Sequence, residues 1–229
     1  MVLVIQLAGT GEIFMHLKSL FINGGIIIVV IAAIVAGVYA AEKHVNSTAK
    51  DAIVTVSSYA TGEKVTLDAF DVNILTGRGS IKGLTVPNSS VGSSKTSFVV
   101  DKAEIRITPW SILWGPLQFR SIDITNPAVD LETSATSSNL AIILAAAAAY
   151  AVTADSSSDK SDKLRVDSLT ITGGKLSGKI YPLTTTYSTT LPDIKISDMG
   201  GSDGMTQADF VKALLTQVVN QATTAALKH

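Results

Sequence analysis

Between Ser19 and Ala41 the chain carries no charged side chain, and Gly24 to Ala41 (GGIIIVVIAAIVAGVYAA) is almost wholly apolar. About 20 such residues, each rising about 1.5 Å in a helix, cross a hydrocarbon layer of roughly 30 Å. Lipid offers no partner to a bare peptide group, so a segment of this kind hydrogen-bonds internally even though Ile and Val are indifferent helix formers in water. The run predicts a transmembrane helix over residues 22–41, with Ile22, Gly24, Ile28, Ile31, Ile34 and Val38 in the bilayer and Tyr39 as an interfacial anchor. It is longer than the ~7–15 residues of a cleaved signal core, so the anchor is expected to be retained. Charges flank it on both sides, Lys18 before and Glu42, Lys43, Lys50 and Asp51 after, and do not code its orientation. Residues 1–21 are also apolar for a free tail and suit a segment lying along the interface or against a partner.

The rest of the 229 residues suffices for one domain with a hydrophobic core. A formal net charge of -1 leaves no broad basic surface for phosphate contacts, which argues against nucleic acid as a partner. With no cysteine there is no disulfide, thiolate metal site or thiol nucleophile.

After the span, Val45, Ala49, Ile53, Val56 and Ala60 recur at helical spacing, predicting an amphipathic connecting helix over 42–61. The pattern then changes to period two. Val65 and Leu67, Val72 and Ile74, Leu84 and Val86, Ile105 and Ile107, Leu117 and Phe119, Ile122 and Ile124, Val129 and Leu131 read as short strands. Turn residues at Thr76 to Gly79, Pro87 to Ser90 and Asn126-Pro127 punctuate them as in an antiparallel meander. Pro109 to Trp114 breaks the alternation and carries both tryptophans, predicting a helical turn that plugs the end of the sheet, with a binding role as the alternative. A helix is expected from Ser138-Asn139 through Ala151, then a polar loop over 153–163, then strands at Leu164 to Ile180 and at Ile194-Ile196. Thr206 with Asp209 has capping-box spacing, and Phe210, Leu214 and Val218 continue an apolar stripe, so 205–229 reads as a C-terminal amphipathic helix that covers the sheet edge or contacts membrane or partner. The expected class is α+β: a transmembrane helix, then a mainly antiparallel, curved sheet domain over 62–204 with a helical insertion, then the C-terminal helix.

Little chemistry suggests itself. His16 and His44 would lie about 42 Å apart along one helix, and His229 is terminal, so neither a histidine metal centre nor a Ser-His-Asp triad is expected. Asp68, Asp71, Asp101, Glu104, Asp123, Asp130 and Glu132 fall mostly at polar positions of alternating strands, which suits a solvated face better than a tuned acid and base. No catalytic residue, cofactor or metal is expected.

Several phrases occur in the order found in small AsmA-like proteins of the bacterial envelope, relatives of longer bridge-like lipid-transfer proteins. Lys64 to Val72 followed by Gly77 to Asn88 (GRGSIKGLTVPN) resembles that family's opening strands. Ala103 to Ile107, Ser111-Ile112-Leu113 and Ile122 to Val129 (IDITNPAV) are similar to its next segment, and Ser138 to Leu140, Leu169 to Leu176 and Leu191 to Ile194 continue the order. The resemblance spans about Val45 to the C-terminus and is structural, with no catalytic residue to carry over. It implies a single-pass inner-membrane protein with its domain in the periplasm, acting in lipid or envelope homeostasis. Val65, Leu67, Ile74, Ile105, Ile107, Phe119, Ile122 and Ile124 would then line an apolar groove, and Phe210, Leu214 and Val218 would contact membrane or partner. The expected partners are membrane lipids and other integral membrane proteins; the alternative role is that of an accessory subunit docked through its helices.

Overall fold

The computed structural model describes residues 48–73, 75–88, 94–112, 114–133, 137–154, 163–180, 186–206, 209, 210 and 213. Period-two stretches form a single nine-stranded sheet: β1 (Ala69–Asn73), β2 (Arg78–Pro87), β3 (Thr96–Ile107), β4 (Leu117–Thr125), β5 (Ala128–Thr133), β6 (Leu164–Thr172), β7 (Lys175–Ile180), β8 (Thr186–Thr190) and β9 (Ile194–Met199). Two helices, α1 (Thr48–Thr61) and α2 (Asn139–Ala154), and a 3-10 turn at Pro109–Ile112 complete it.

The register joins these strands into longer ones. β4 and β5 run antiparallel to β3 in one unbroken register, Lys102 facing Thr125 and Val99 facing Ala128. β6 and β7 run parallel to β4 and β5, with Thr125 facing Thr172 and Ala128 facing Lys175. β9 and β8 are antiparallel to β6 and β7, with Ile171 facing Ile194 and Lys175 facing Thr190. Merging these three pairs turns nine strands into six, lying side by side in chain order. Asn126-Pro127 is therefore a kink in a continuing strand and not the chain reversal that its turn chemistry suggests. The parallel pairing follows from α2. Its 16 residues return the chain by about 24 Å, so β6 starts at the same end of the sheet as β4.

One line of residues crosses all six strands: Asp68, Gly83, Asp101, Asn126, Gly173 and Pro192 stand opposite one another in the pairing. Gly83, Asn126 and Gly173 have φ of 62°, 51° and 67°, a region open to glycine and tolerated by asparagine. At this level the inward positions step by three instead of two, from Leu67 to Phe70, Ile81 to Leu84, Val100 to Ala103, Ile124 to Pro127, Ile171 to Gly174 and Leu191 to Ile194. Each strand thus points two successive residues outward, which bends it as a β-bulge does. Because every strand makes the same step, the register is the same on both sides and the sheet is creased along the line. Backbone bonds persist there, Asn126 N to Thr172 O at 2.8 Å and Lys175 N to Pro127 O at 2.8 Å.

One face of the sheet is apolar, and its residues form a single buried cluster with Ile53 of α1, Leu140, Ile143 and Ala147 of α2, and Phe210. Four expectations change. The described chain is predominantly β, with two short helices, not α+β. The sheet is mixed. Among the described residues no helix is long and apolar enough to cross a membrane; α2, the longest, reaches about 24 Å against roughly 30 Å of hydrocarbon. α2 also continues to Ala154, two residues into the expected loop. The expected span with Ile22, Gly24, Ile28, Ile31, Ile34, Val38 and Tyr39 lies outside the described residues, as do Ile74, Leu214 and Val218.

Gly83 tests the crease. A Cβ there would overlap the Asp68 carboxylate, whose own Cβ stands only 2.9 Å away, and the positive φ adds strain. Gly83→Ala is expected to cost about 2 kcal/mol and to lower the thermal midpoint by about 4–8 °C, measured by circular dichroism.

Candidate functional site

The expected groove is filled in the structure. Val65, Leu67, Ile105, Ile107, Phe119, Ile122 and Ile124 all point to the apolar side and all are buried, with Phe119 and Ile122 at 0% exposure. Sequence periodicity placed them on one face; it could not tell that α1 and α2 close over it. Phe210, expected as an outer contact, is a core residue at 1% exposure. Thr206 accepts from Asp209 N at 3.1 Å and also donates to the Asp209 carboxylate at 3.0 Å, and this cap sets Phe210 inward.

α2 is held by a buried polar anchor. Asn139, 0% exposed, donates to Asp130 O at 2.7 Å and to Ser97 Oγ at 3.0 Å, while its Oδ1 accepts from Glu132 N at 3.0 Å and Leu140 N at 2.9 Å. The Glu132 carboxylate beside it is buried and accepts from Asn88 Nδ2 at 2.6 Å and Ser94 N at 3.0 Å. Charge-assisted bonds of this kind compensate the loss of water. Sequence reading placed Glu132 on the solvated face. Val129-Asp130-Leu131-Glu132 alternates regularly, so nothing in the local pattern marked Glu132 as buried.

The outer side of α2 is unusual. The helix (NLAIILAAAAAYAVTA) has no charged residue, and Ala141, Ile142, Ala145 and Ala149 face outward and are exposed. A helix on a protein surface normally sets charged or polar side chains against water. α2 instead presents a second apolar surface opposite the one that it buries.

A further apolar surface lies where the β1–β2 turn meets the β3–β4 connection. Trp110 and Trp114 are 68% and 72% exposed, their rings stacked with centroids 6.0 Å apart, and Leu75 is 91% exposed. The expected hydrophobic plug is thus turned outward. The 3-10 turn accounts for this: Ser111 N bonds Thr108 O at 3.0 Å, Ser111 Oγ accepts from Gln118 N at 2.9 Å, and Trp114 N bonds Trp110 O at 3.1 Å. With Ser111 as the turn's buried polar tether, both indoles point away from the sheet.

Among the described residues no cluster of three His, Cys, Asp or Glu is placed to hold a metal ion. Of the carboxylates noted in the sequence, Asp71, Glu104 and Asp123 lie in one row across the outer face, with Ser80 between them. The Lys102 ammonium, bonded to Glu104 at 2.6 Å, holds that carboxyl below the usual glutamate range. Asp130 accepts from Thr96 Oγ1 at 3.2 Å and from Ser177 Oγ.

Compared with protein-family models the chain has no match, and no curated protein matches it either.

Two measurements check the anchor and the surface pair. Asn139→Ala strands two buried N–H groups and the Asp130 carbonyl, and is expected to remove about 3 kcal/mol in urea unfolding with an unchanged denaturant slope. Lys102→Ala is expected to return the Glu104 titration, followed by NMR, upward to the ordinary glutamate value. The depressed pKa contributes stability above that value and loses it as pH falls, but on so exposed a pair the unfolding midpoint should scarcely move.

Proposed function

We infer that this chain is a non-catalytic, membrane-attached protein of the bacterial envelope, of AsmA-like type, that takes part in lipid or envelope homeostasis by binding lipid or partner proteins at the periplasmic membrane surface. The observation that carries the reading is the outer face of α2. An uncharged helix with Ala141, Ile142, Ala145 and Ala149 exposed gains free energy, about 25 cal/mol per Å² of apolar surface, only by meeting an apolar neighbour. The uncharged run from Ser19 to Ala41 supports the same reading, since water rejects it and lipid accepts it. The ordered AsmA-like phrases supply the envelope setting.

The packing of the sheet refines the proposal. Ile105, Ile107 and Phe119 are already covered, so a lipid chain would enter the sheet's apolar face only by displacing a helix, whereas α2's exterior is accessible as it stands. The neighbour is therefore assigned to the exterior. A role as accessory subunit of a larger membrane assembly uses the same surface with a protein in place of lipid.

Native mass spectrometry of the full chain, extracted from membranes in mild detergent, separates the two. Bound lipid or a stoichiometric protein partner is expected, and Ala145→Lys with Ala149→Lys should abolish it without shifting the thermal midpoint by more than about 4 °C. Recovery of the wild-type chain as a bare monomer would contradict the proposal.

A further inference from the structure

The end of the sheet that carries the tryptophans also carries a group of arginines. Arg78 of β2 stands directly opposite Arg106 of β3 in the pairing, and both are exposed. Like charges facing each other across strands are unfavourable unless an anion sits beside them. Arg120 of β4, also exposed, lies at the same end and donates from Nε to Thr108 Oγ1 at 3.0 Å, next to the 3-10 turn. The row containing Arg78 and Arg106 is completed by Asn73 and Ser121 and has no carboxylate. The acids of the row behind it are Asp71, Glu104 and Asp123; Glu104 is bonded to Lys102 and its charge is shared with Arg106. Farther along the same end Arg165 is paired with Asp167 at 3.0 Å, and Asp198 and Asp203 belong to β9 and the turn after it, beyond β6.

The aromatic tip is fixed in position. A Cβ on Gly77 would overlap the Ile107 carbonyl and come within 3.2 Å of Pro109 Cδ, so the β1–β2 turn is pressed against the start of the 3-10 turn. Leu75 and the indole pair therefore project from one place, side by side with the arginines. Indole and leucine favour the boundary between headgroups and acyl chains, and guanidinium groups pair with phosphate.

We propose that Leu75, Trp110 and Trp114, flanked by Arg78, Arg106 and Arg120, form a docking surface for the interface of an anionic phospholipid bilayer. The docking rests on the membrane residence proposed above, but uses a surface distinct from α2. Apolar side chains enter the interface while the arginines neutralise lipid phosphates. A neutral surface would give the facing Arg78 and Arg106 no further anion, and Glu104 is already shared with Lys102.

Both tryptophans of the chain are in this patch, so tryptophan emission, excited selectively over that of tyrosine, reports on it alone. The full chain is reconstituted into vesicles of phosphatidylcholine, with and without phosphatidylglycerol, whose acyl chains carry bromine. In the anionic vesicles the emission is expected to shift to the blue and to be quenched by the brominated chains. Arg78→Gln and Arg106→Gln should each lower the ratio of docked to undocked protein about fivefold, and high salt should do likewise. Water-like, unquenched emission from protein that floats with the vesicles would overturn the docking while leaving membrane residence standing; failure to float would overturn both. Blue-shifted emission without quenching would mean that a second copy covers the indoles, and equal quenching in neutral vesicles would remove the role of the arginines; either contradicts the proposal.

Discussion

The shared register of six long strands is the constraint on which the rest depends. Each strand slips its alternation by one residue at the same level, and a slip in one strand alone would turn half of its apolar residues toward water. Leu84, Ala103, Pro127 and Gly174 are all placed three positions after the preceding inward residue, so the apolar face continues across the crease without interruption. Gly83, Asn126 and Gly173 supply the backbone conformation that permits the slip. The chemistry of one line of residues therefore decides the shape of a sheet of nine strands.

That apolar face requires cover, and α1 and α2 provide it. The Asn139 anchor fixes where α2 begins, and its backbone partners on β5 fix which part of the sheet it crosses. A core closed in this way directs binding to the periphery. Among the described residues, apolar side chains stand in water at α2's exterior and at the tryptophan end, and the second lies beside arginines. Both are features that a freely dispersed protein would have little reason to keep, since each exposes area that water disfavours.

Much of the sheet was legible in the sequence because period two is a strong signal where one face is buried. Ile105-x-Ile107, Ile122-x-Ile124 and Leu169-x-Ile171 each appear as inward pairs. The longer strands were not legible, since Asn126-Pro127 carries the chemistry of a turn and only pairing with Gly173 reveals a kink. Parallel pairing was hidden for a related reason: the sequence shows a helical insertion but not the end of the sheet to which it returns the chain. The site was less legible still. Hydrophobicity sent Trp110 and Trp114 inward in expectation and Phe210 outward, because composition does not report which way a short turn or a capped helix start aims its side chains. Glu132 went unrecognised since burial of a carboxylate depends on donors distant in sequence, Asn88 and Ser94.

The central claim is that this molecule works with apolar surface pressed against a neighbour at a membrane. Hydroxyl-radical footprinting of the chain in intact native membranes, compared with the purified chain deliberately stripped of lipid and partners, tests it most directly. The account predicts that Trp110, Trp114 and Ile142, all exposed in the isolated structure, are shielded in the membranes and become labelled on purification. Equal labelling in both states would show that these surfaces face water throughout, and would contradict it.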